Sequence, residues 1–319
     1  MFQENAALFS YEDLVDRNQG TISPSDQALI RRSKIGIFGL GGMSLVGLLA
    51  ARTGFQKFTL VDKDIYTVTN LNRQMGAFFS NLNKPKATAM KDLILDINPE
   101  AEVDDLLINI QDIEQAKRVM GDVDYLFIGI DDAVTRVILA RAAEETGKTI
   151  LIFCPMGFKF FSTICKPGGI GYEKLTYQPS LNKDIYDKTL QEEVELHQKI
   201  FFVCARSHDL RYCKEYLKGN EPVKALGITV NMLGSWIVGE LVKLITGKGT
   251  PHVAPEVYTF NVLTGKSWNF MEVGTLAYIL KKIIRKKGLE KGLEFVDELY
   301  CGEGKVDIGK MFLALGGYS

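Results

Sequence analysis

The chain lacks the signature of a disulfide scaffold. Its five cysteines in 319 residues are an odd number at irregular spacings, so a reducing compartment is expected, and we read the protein as cytoplasmic. It also lacks an excess of either charge. With 38 Lys and Arg against 39 Asp and Glu, the formal net charge of -1 gives no overall pull towards nucleic acid, although local patches remain open. Long apolar runs are missing too. The longest, residues 225–238, contains Asn231 and falls short of the roughly 20 residues that a membrane span requires. It reads as a buried helix, and no membrane partner is expected. Residues 1–10 carry acid and neither a basic segment nor an apolar run, so no secretory signal is expected there. Internal repeats and low-complexity stretches are absent as well. What remains is a composition of 46% hydrophobic and 24% charged residues, ample for a self-sufficient core.

The chemistry concentrates between Lys34 and Lys86. Lys34–Phe38 is short, apolar and β-branched, as expected of a strand covered on both faces. It breaks into Gly39-Leu40-Gly41-Gly42-Met43-Ser44. Gly39 permits the tight turn, Gly41 lets the backbone approach a phosphate, and Gly42 opens a helix over about 43–53 whose free N–H groups face an anion. That helix ends at Gly54, a suitable C-cap. A second apolar run, residues 58–61, ends on Asp62-Lys63-Asp64, and Asp62 lies 23 residues after Gly39. This separation places its carboxylate at the ribose hydroxyls of a nucleotide held by the first turn; Asp64 either joins it or orders the turn. Ser44 stands where the dinucleotide fingerprint has glycine or alanine, which counts against a dehydrogenase.

Three further features move the reading towards ATP. Residues 68–74 form a polar connection carrying Asn70, Arg73 and Gln74, and Arg73 offers a planar charge suited to phosphate oxygens. Lys86 follows Pro85 at a helix start, off the face made by Ala87, Met90, Ile94 and Ile97. Two cations beside the glycine turn exceed what a diphosphate needs and suit a triphosphate. The most apolar strand, residues 125–130, ends on Asp131-Asp132, where an acid either caps the next helix or holds Mg²⁺. We assign Mg²⁺ to Asp131.

Downstream, residues 149–153 read as a further strand, and residues 158–165 as one of an antiparallel pair. Residues 172–200 are polar and poorly periodic, a long connection across the sheet with a helix after Lys188. Cys204, His208 and Cys213 match no zinc spacing, and buried thiols are the better reading; a reactive Cys204 beside Arg206 and His208 is the alternative. A helix over 225–246 is expected to be core or subunit interface. Residues 257–262 and 267–271 flank Thr264-Gly265 as a hairpin. Leu276, Ile279, Leu280, Ile283 and Ile284 mark a last helix, and the tail after it receives no role. The fold class is α/β and Rossmann-like: a mainly parallel sheet with helices on both faces, continued by antiparallel strands in the C-terminal half.

The set Gly39-x-Gly41-Gly42, Asp62-x-Asp64, Asn70-x-x-Arg73-Gln74, Lys84-Pro85-Lys86 and Asp131 resembles the ThiF/MoeB/HesA family, bacterial relatives of ubiquitin-activating enzymes, over about residues 11–266. The resemblance implies binding of ATP and Mg²⁺, attack by a substrate carboxylate on the α-phosphate, and release of pyrophosphate. It implies that Asp62 holds the ribose, that Arg73 and Lys86 neutralise phosphate charge, that Asn70 and Gln74 line the phosphate pocket, and that Asp131 holds magnesium. Arg17 matches an arginine that reaches the partner subunit's ATP, which implies a homodimer. The chain has no Cys-x-x-Cys pair for zinc and no cysteine in the crossover segment of about 172–200, so it is most similar to a zinc-free branch. The organisation implied is a helical segment 1–33, an adenylation domain 34–272, and a C-terminal helix and tail 273–319. The implied substrate is the C-terminal carboxylate of a ubiquitin-like protein or a peptide. The alternatives are the threonylcarbamoyladenosine of tRNA, with Lys281, Lys282, Arg285, Lys286 and Lys287 as the basic surface, and a non-catalytic nucleotide-binding dimeric scaffold.

Overall fold

The computed structural model describes residues 9–301. The first eight residues of the segment read for a secretory signal, and the tail from residue 302 onward, lie outside that range. Among the described residues the seven strands are β1 (Lys34–Phe38), β2 (Lys57–Val61), β3 (Glu102–Leu106), β4 (Tyr125–Ile128), β5 (Thr149–Met156), β6 (Lys159–Cys165) and β7 (Tyr258–Asn261). They form one sheet in the order β3-β2-β1-β4-β5-β6-β7. Pairing is parallel from β3 to β5 and antiparallel from β5 through β7. This is the mixed sheet that the sequence leads one to expect.

Alternation along β1 and β4 divides the core in two. Ile35, Ile37 and Phe127 point to one face, where α2 (Pro24–Arg32), α3 (Ser44–Thr53), α4 (Lys86–Ile97) and α10 (Gly227–Thr246) pack. Phe38, Leu126 and Ile128 point to the other. That face is covered by α5 (Ile113–Met120), α6 (Ala133–Glu145), α8 (Lys188–Cys204), α9 (Leu210–Lys218), α11 (Phe270–Lys287) and α12 (Leu289–Cys301). Two shorter helices complete the set, α1 (Tyr11–Val15) near the start and α7 (Tyr172–Leu175) after β6.

Local signals explain the helix starts. Ser23 accepts from Asp26 N ahead of Pro24, and Asp112, Asp132, Asp187 and Asp209 each accept a backbone N–H two or three residues into α5, α6, α8 and α9. Gly54 ends α3 in the left-handed region, φ 100°, and there the N-terminal segment docks: Tyr11 Oη donates to Gly54 O (2.8 Å) and Gln27 Nε2 to Thr53 O (2.9 Å). α10 is long and apolar enough to cross a membrane by length and composition. Here Val230, Leu233, Ile237 and Leu241 face the core, and its buried Glu240 accepts from His252 N and pairs with Lys243.

Three expectations need correction. Residues 267–271 are not the second arm of a hairpin. Only the bridge Asn261–Lys266 forms, because Asn269 accepts from Met271 N and Glu272 N and starts α11 at Phe270. α11 therefore begins before residue 273, and its Leu276, Ile279 and Leu280 sit in the same core as β4 and β5. Nor is it the last helix, since residues 289–301 form α12, with Leu293, Phe295, Val296 and Leu299 buried. Residues 172–200 hold more order than their polarity suggests. Arg141 of α6 makes a two-pronged contact with Glu173 (2.8 and 2.9 Å) and donates to the carbonyls of Ser180 (2.7 Å) and Lys183 (2.9 Å). The segment is thus tied along its length to α6.

Candidate active site

Strand order reverses beside β1, whose neighbours β2 and β4 lead to helices on opposite faces. A cavity of about 760 Å³ opens there, at the carboxyl ends of the strands. Its wall includes Gly39, Gly41, Gly42, Asp62, Asp64, Arg73, Gln74, Lys86 and Asp131. Nine of the residues singled out in the sequence thus meet in one space.

The glycine turn is held by both neighbouring strands. Gly39 N donates to Val61 O (2.8 Å) and Gly129 N to Phe38 O (2.9 Å). Gly39 adopts φ 89°, and a Cβ there would lie 2.8 Å from the Gly129 carbonyl carbon, so only glycine fits. α3 starts without a side-chain cap; Ser44 N and Oγ both donate to Gly41 O (3.3 and 3.0 Å) and Val46 N to Met43 O (2.9 Å), so the turn is closed by its own backbone. Asp62 is buried, and each of its oxygens accepts one backbone N–H, from Leu40 (2.7 Å) and Asp64 (2.9 Å). Each keeps a lone pair for a ribose hydroxyl. Burial pushes its carboxyl above the usual range, against the pull of Lys86 and of those two donors.

Lys86 differs from the surface cation that its helical position suggests. It is 6% exposed, and its Nζ lies 3.3 Å from Asp64 Oδ2. Arg73 reaches the cavity with Nη1 donating to Thr69 O (2.7 Å) and Asn72 Oδ1 (3.1 Å). Asp131 and Asp132 are both exposed at the cavity wall, and one of them is used as a helix cap. Asp132 caps α6 by accepting from Thr135 N, and the exposed Asp131 lines the cavity.

One residue expected to line the pocket lies elsewhere. Asn70 is buried behind the wall, where Oδ1 accepts from Thr67 N (3.0 Å) and Thr67 Oγ1 (3.3 Å), closing the turn that presents Arg73. A polar residue at N3 of a short turn serves that turn first. Arg17 stands outside the chain's own cavity with its side chain 99% exposed, 3.8 Å from Asp16. Cys204 and Cys213 are fully buried; burial drives the Cys204 thiol well above the ordinary range and pushes Cys213 up to about 11. Neither is poised as a thiolate. His208 Nε2 donates to Lys224 O (3.1 Å), and no group of three or more His, Cys, Asp or Glu able to hold a metal occurs among the described residues.

The sequence reading missed the other end of the cavity, lined by Arg136, Tyr172, Gln178, His197, Gln198 and Tyr216. His197 is 7% exposed, its Nε2 donating to Thr176 O (2.8 Å), and burial pushes its pKa down to about 4. The carbonyl can only accept, so Nε2 carries a proton, and the lowered pKa leaves the ring neutral near pH 7.

Comparison with known proteins bears on the family and the fold. The tRNA threonylcarbamoyladenosine dehydratase of Bacillus subtilis is 40% identical over 88 residues, 27% of this chain and 35% of the relative. The enzyme of the same name from Haemophilus influenzae is 33% identical over 135 residues, 42% of this chain and 52% of the relative. The chain thus spans about half or less of these relatives' lengths. Among solved structures, selenomethionyl PaaA is similar with a TM-score of 0.59 at 20% identity, covering 81% of this chain and 78% of that one. E. coli MccB, solved with ATP, has a TM-score of 0.58 at 17% identity, covering 77% and 66%. These structural likenesses show the shared fold. A match to the ThiF family runs over residues 15–277, most of the chain, and the protein belongs to that family.

Proposed function

We propose that the protein is an ATP-dependent adenylyltransferase that activates a carboxylate as an acyl adenylate. The observation that carries this reading is one cavity gathering the glycine turn, Asp62, Arg73, Lys86 and Asp131. In the reaction a carboxylate oxygen forms a bond to the α-phosphorus, the bond from that phosphorus to the bridging oxygen breaks, and pyrophosphate leaves with the electron pair. The glycine turn holds phosphate oxygens, and Asp62 orients the ribose. Arg73 and Lys86 neutralise charge as it shifts onto the leaving pyrophosphate. Asp131, a carboxylate not consumed by capping, fits a cation that takes its other ligands from phosphate and water; Mg²⁺ would supply charge neutralisation there.

The acyl substrate in this reading is the C-terminal carboxylate of a ubiquitin-like protein or peptide. A second reading, the threonylcarbamoyladenosine of tRNA, is favoured by the names of the two relatives described above. Its basic surface on α11 is in part neutralised, since Arg285 pairs with Glu193 at 2.6 Å. ATP–pyrophosphate exchange separates the readings. Exchange stimulated by a protein or peptide terminus supports the first, and exchange stimulated only by modified tRNA, falling steeply with salt, supports the second. Arg73→Ala is expected to lower exchange by about tenfold with either substrate. Exchange unchanged by that substitution would remove Arg73 from the site, and tight ATP binding with no exchange on any carboxylate would leave the scaffold reading.

Arg17 supports a homodimer in which each subunit completes its partner's ATP site. The exposed apolar side chains Val68, Leu71 and Phe79 in the 65–81 segment suit burial against a second copy. Arg17→Ala and Lys86→Ala, each deficient alone, are then expected to regain exchange when mixed, because one mixed site carries neither change. A protein that sediments as a monomer at micromolar concentration and shows no complementation would exclude this arrangement.

A further inference from the structure

At the end away from the glycine turn the cavity holds a further cation, Arg136, to which the proposed phosphate contacts give no role. Arg136 sits in the first turns of α6, with Nε (3.2 Å) and Nη2 (2.7 Å) both donating to Ile130 O. Among the described residues no carboxylate lies within salt-bridge distance of it, although Asp131 contributes to its field. Burial opposes its charge, yet Tyr172, Cys154 and Asp131 around it hold its pKa above the ordinary arginine value. A half-buried, fixed guanidinium that lines a cavity and has no acid of its own is a binding group for an anion.

Its placement says which anion. Lys86 opens α4, which packs on the sheet face of Ile35 and Ile37, and Arg73 lies in the connection leading to that helix. Arg136 belongs to α6, which packs on the face of Phe38 and Ile128. The cations therefore enter the cavity from opposite faces of the sheet. In a phosphoryl-group displacement, the attacking and leaving oxygens stand roughly in line on opposite sides of the phosphorus. With pyrophosphate held from the Lys86 side, the attacking carboxylate belongs on the Arg136 side.

We infer that Arg136 binds and orients the acyl substrate's carboxylate for attack, its orientation fixed by the Ile130 carbonyl. This rests on the adenylation reading and adds a residue to it. At this end the wall combines the aromatic Tyr172, Phe201, Phe202 and Tyr216 with the acids Asp131, Asp132 and Glu195, so the group bearing the carboxylate is a compact acyl end without further negative charge. The C-terminal glycine of a peptide has that chemistry.

N-acetylglycine serves as the probe, and N-acetylglycinamide as its neutral control. Both are titrated, with a non-hydrolysable ATP analogue present, against the wild type, Arg136→Met and Arg136→Lys, and binding is followed by ligand-observed NMR. Saturable binding of the acid but not the amide is expected for the wild type. Loss of at least about tenfold in affinity for Arg136→Met is expected, the range of one charge-assisted contact. Arg136→Lys, which keeps the charge and guards against a folding defect, should fall between the two, with analogue affinity within twofold throughout. Acid binding that is equal in Arg136→Met and the wild type, or absent in the wild type, would overturn the inference while analogue binding stands. Absence of analogue binding in the wild type would instead overturn the nucleotide reading beneath it.

Discussion

Lys86→Ala is expected to lower carboxylate-dependent ATP–pyrophosphate exchange by at least about a hundredfold, more than any other single change at the glycine-turn end of the cavity. The reason is dielectric. Arg73 is partly open to solvent, whereas Lys86 is 6% exposed at the wall and faces Asp64 at 3.3 Å. A charge held where water is largely excluded acts on a developing phosphate charge with little screening and without reorienting. Lys86→Arg should recover part of the rate, because charge is restored while the compact ammonium geometry is not. Asp64 is more than half exposed and is not stranded by the change, but the buried Asp62 loses the charge that opposes the rise of its pKa, so a modest fall in melting temperature should accompany the loss of exchange. Steady-state exchange together with a thermal melt checks both statements, and a fall in exchange of less than threefold would take Lys86 out of the phosphate site.

The second large effect is on stability against pH. His197 is neutral in the fold, with its pKa pushed down to about 4 by burial, and it titrates near 6.5 once unfolded. Between these values the unfolded chain binds the proton and the native chain does not. Stability is therefore intact above about pH 6.5 and is lost as pH falls towards 4, by about 3 kcal/mol in all. Other carboxylates change over the same range, so the measurement is a difference. Urea unfolding of the wild type and of His197→Gln, whose amide can still donate to Thr176 O, should diverge by about that amount between pH 7 and pH 4. Parallel pH profiles would mean that the ring is protonated in the fold.

The glycine-turn end of the cavity was legible in the sequence because its signals are local. A strand, a turn that needs Gly39, and an acid 23 residues on are fixed by short-range geometry. The Arg136 end was not legible, because it is assembled from α6, α7 and α8 across more than 60 residues, and no spacing rule links Arg136 to Tyr172 or His197. Lys86 shows the limit of helical periodicity, which placed it off the buried face without seeing that the cavity buries it from the other side. Asn70 shows the reverse, a polar residue whose nearest need was its own turn. α12 was hidden by glycine and charge in its sequence, although Leu293, Val296 and Leu299 recur at helical spacing and pack into the core. At Asn269 a single capping side chain outweighed the strand tendency of the residues around it.

The tether that Arg141 makes to Glu173, Ser180 and Lys183 has a consequence for how ligands bind. One helix, α6, carries both Arg136 at its start and the fastening for a segment that lines the cavity through Tyr172, Thr176 and Gln178. Arg136 and the cavity-lining residues Tyr172, Thr176 and Gln178 thus belong to one frame. The entropy of ordering residues 173–183 is therefore lost once, at folding, and not again each time a ligand binds.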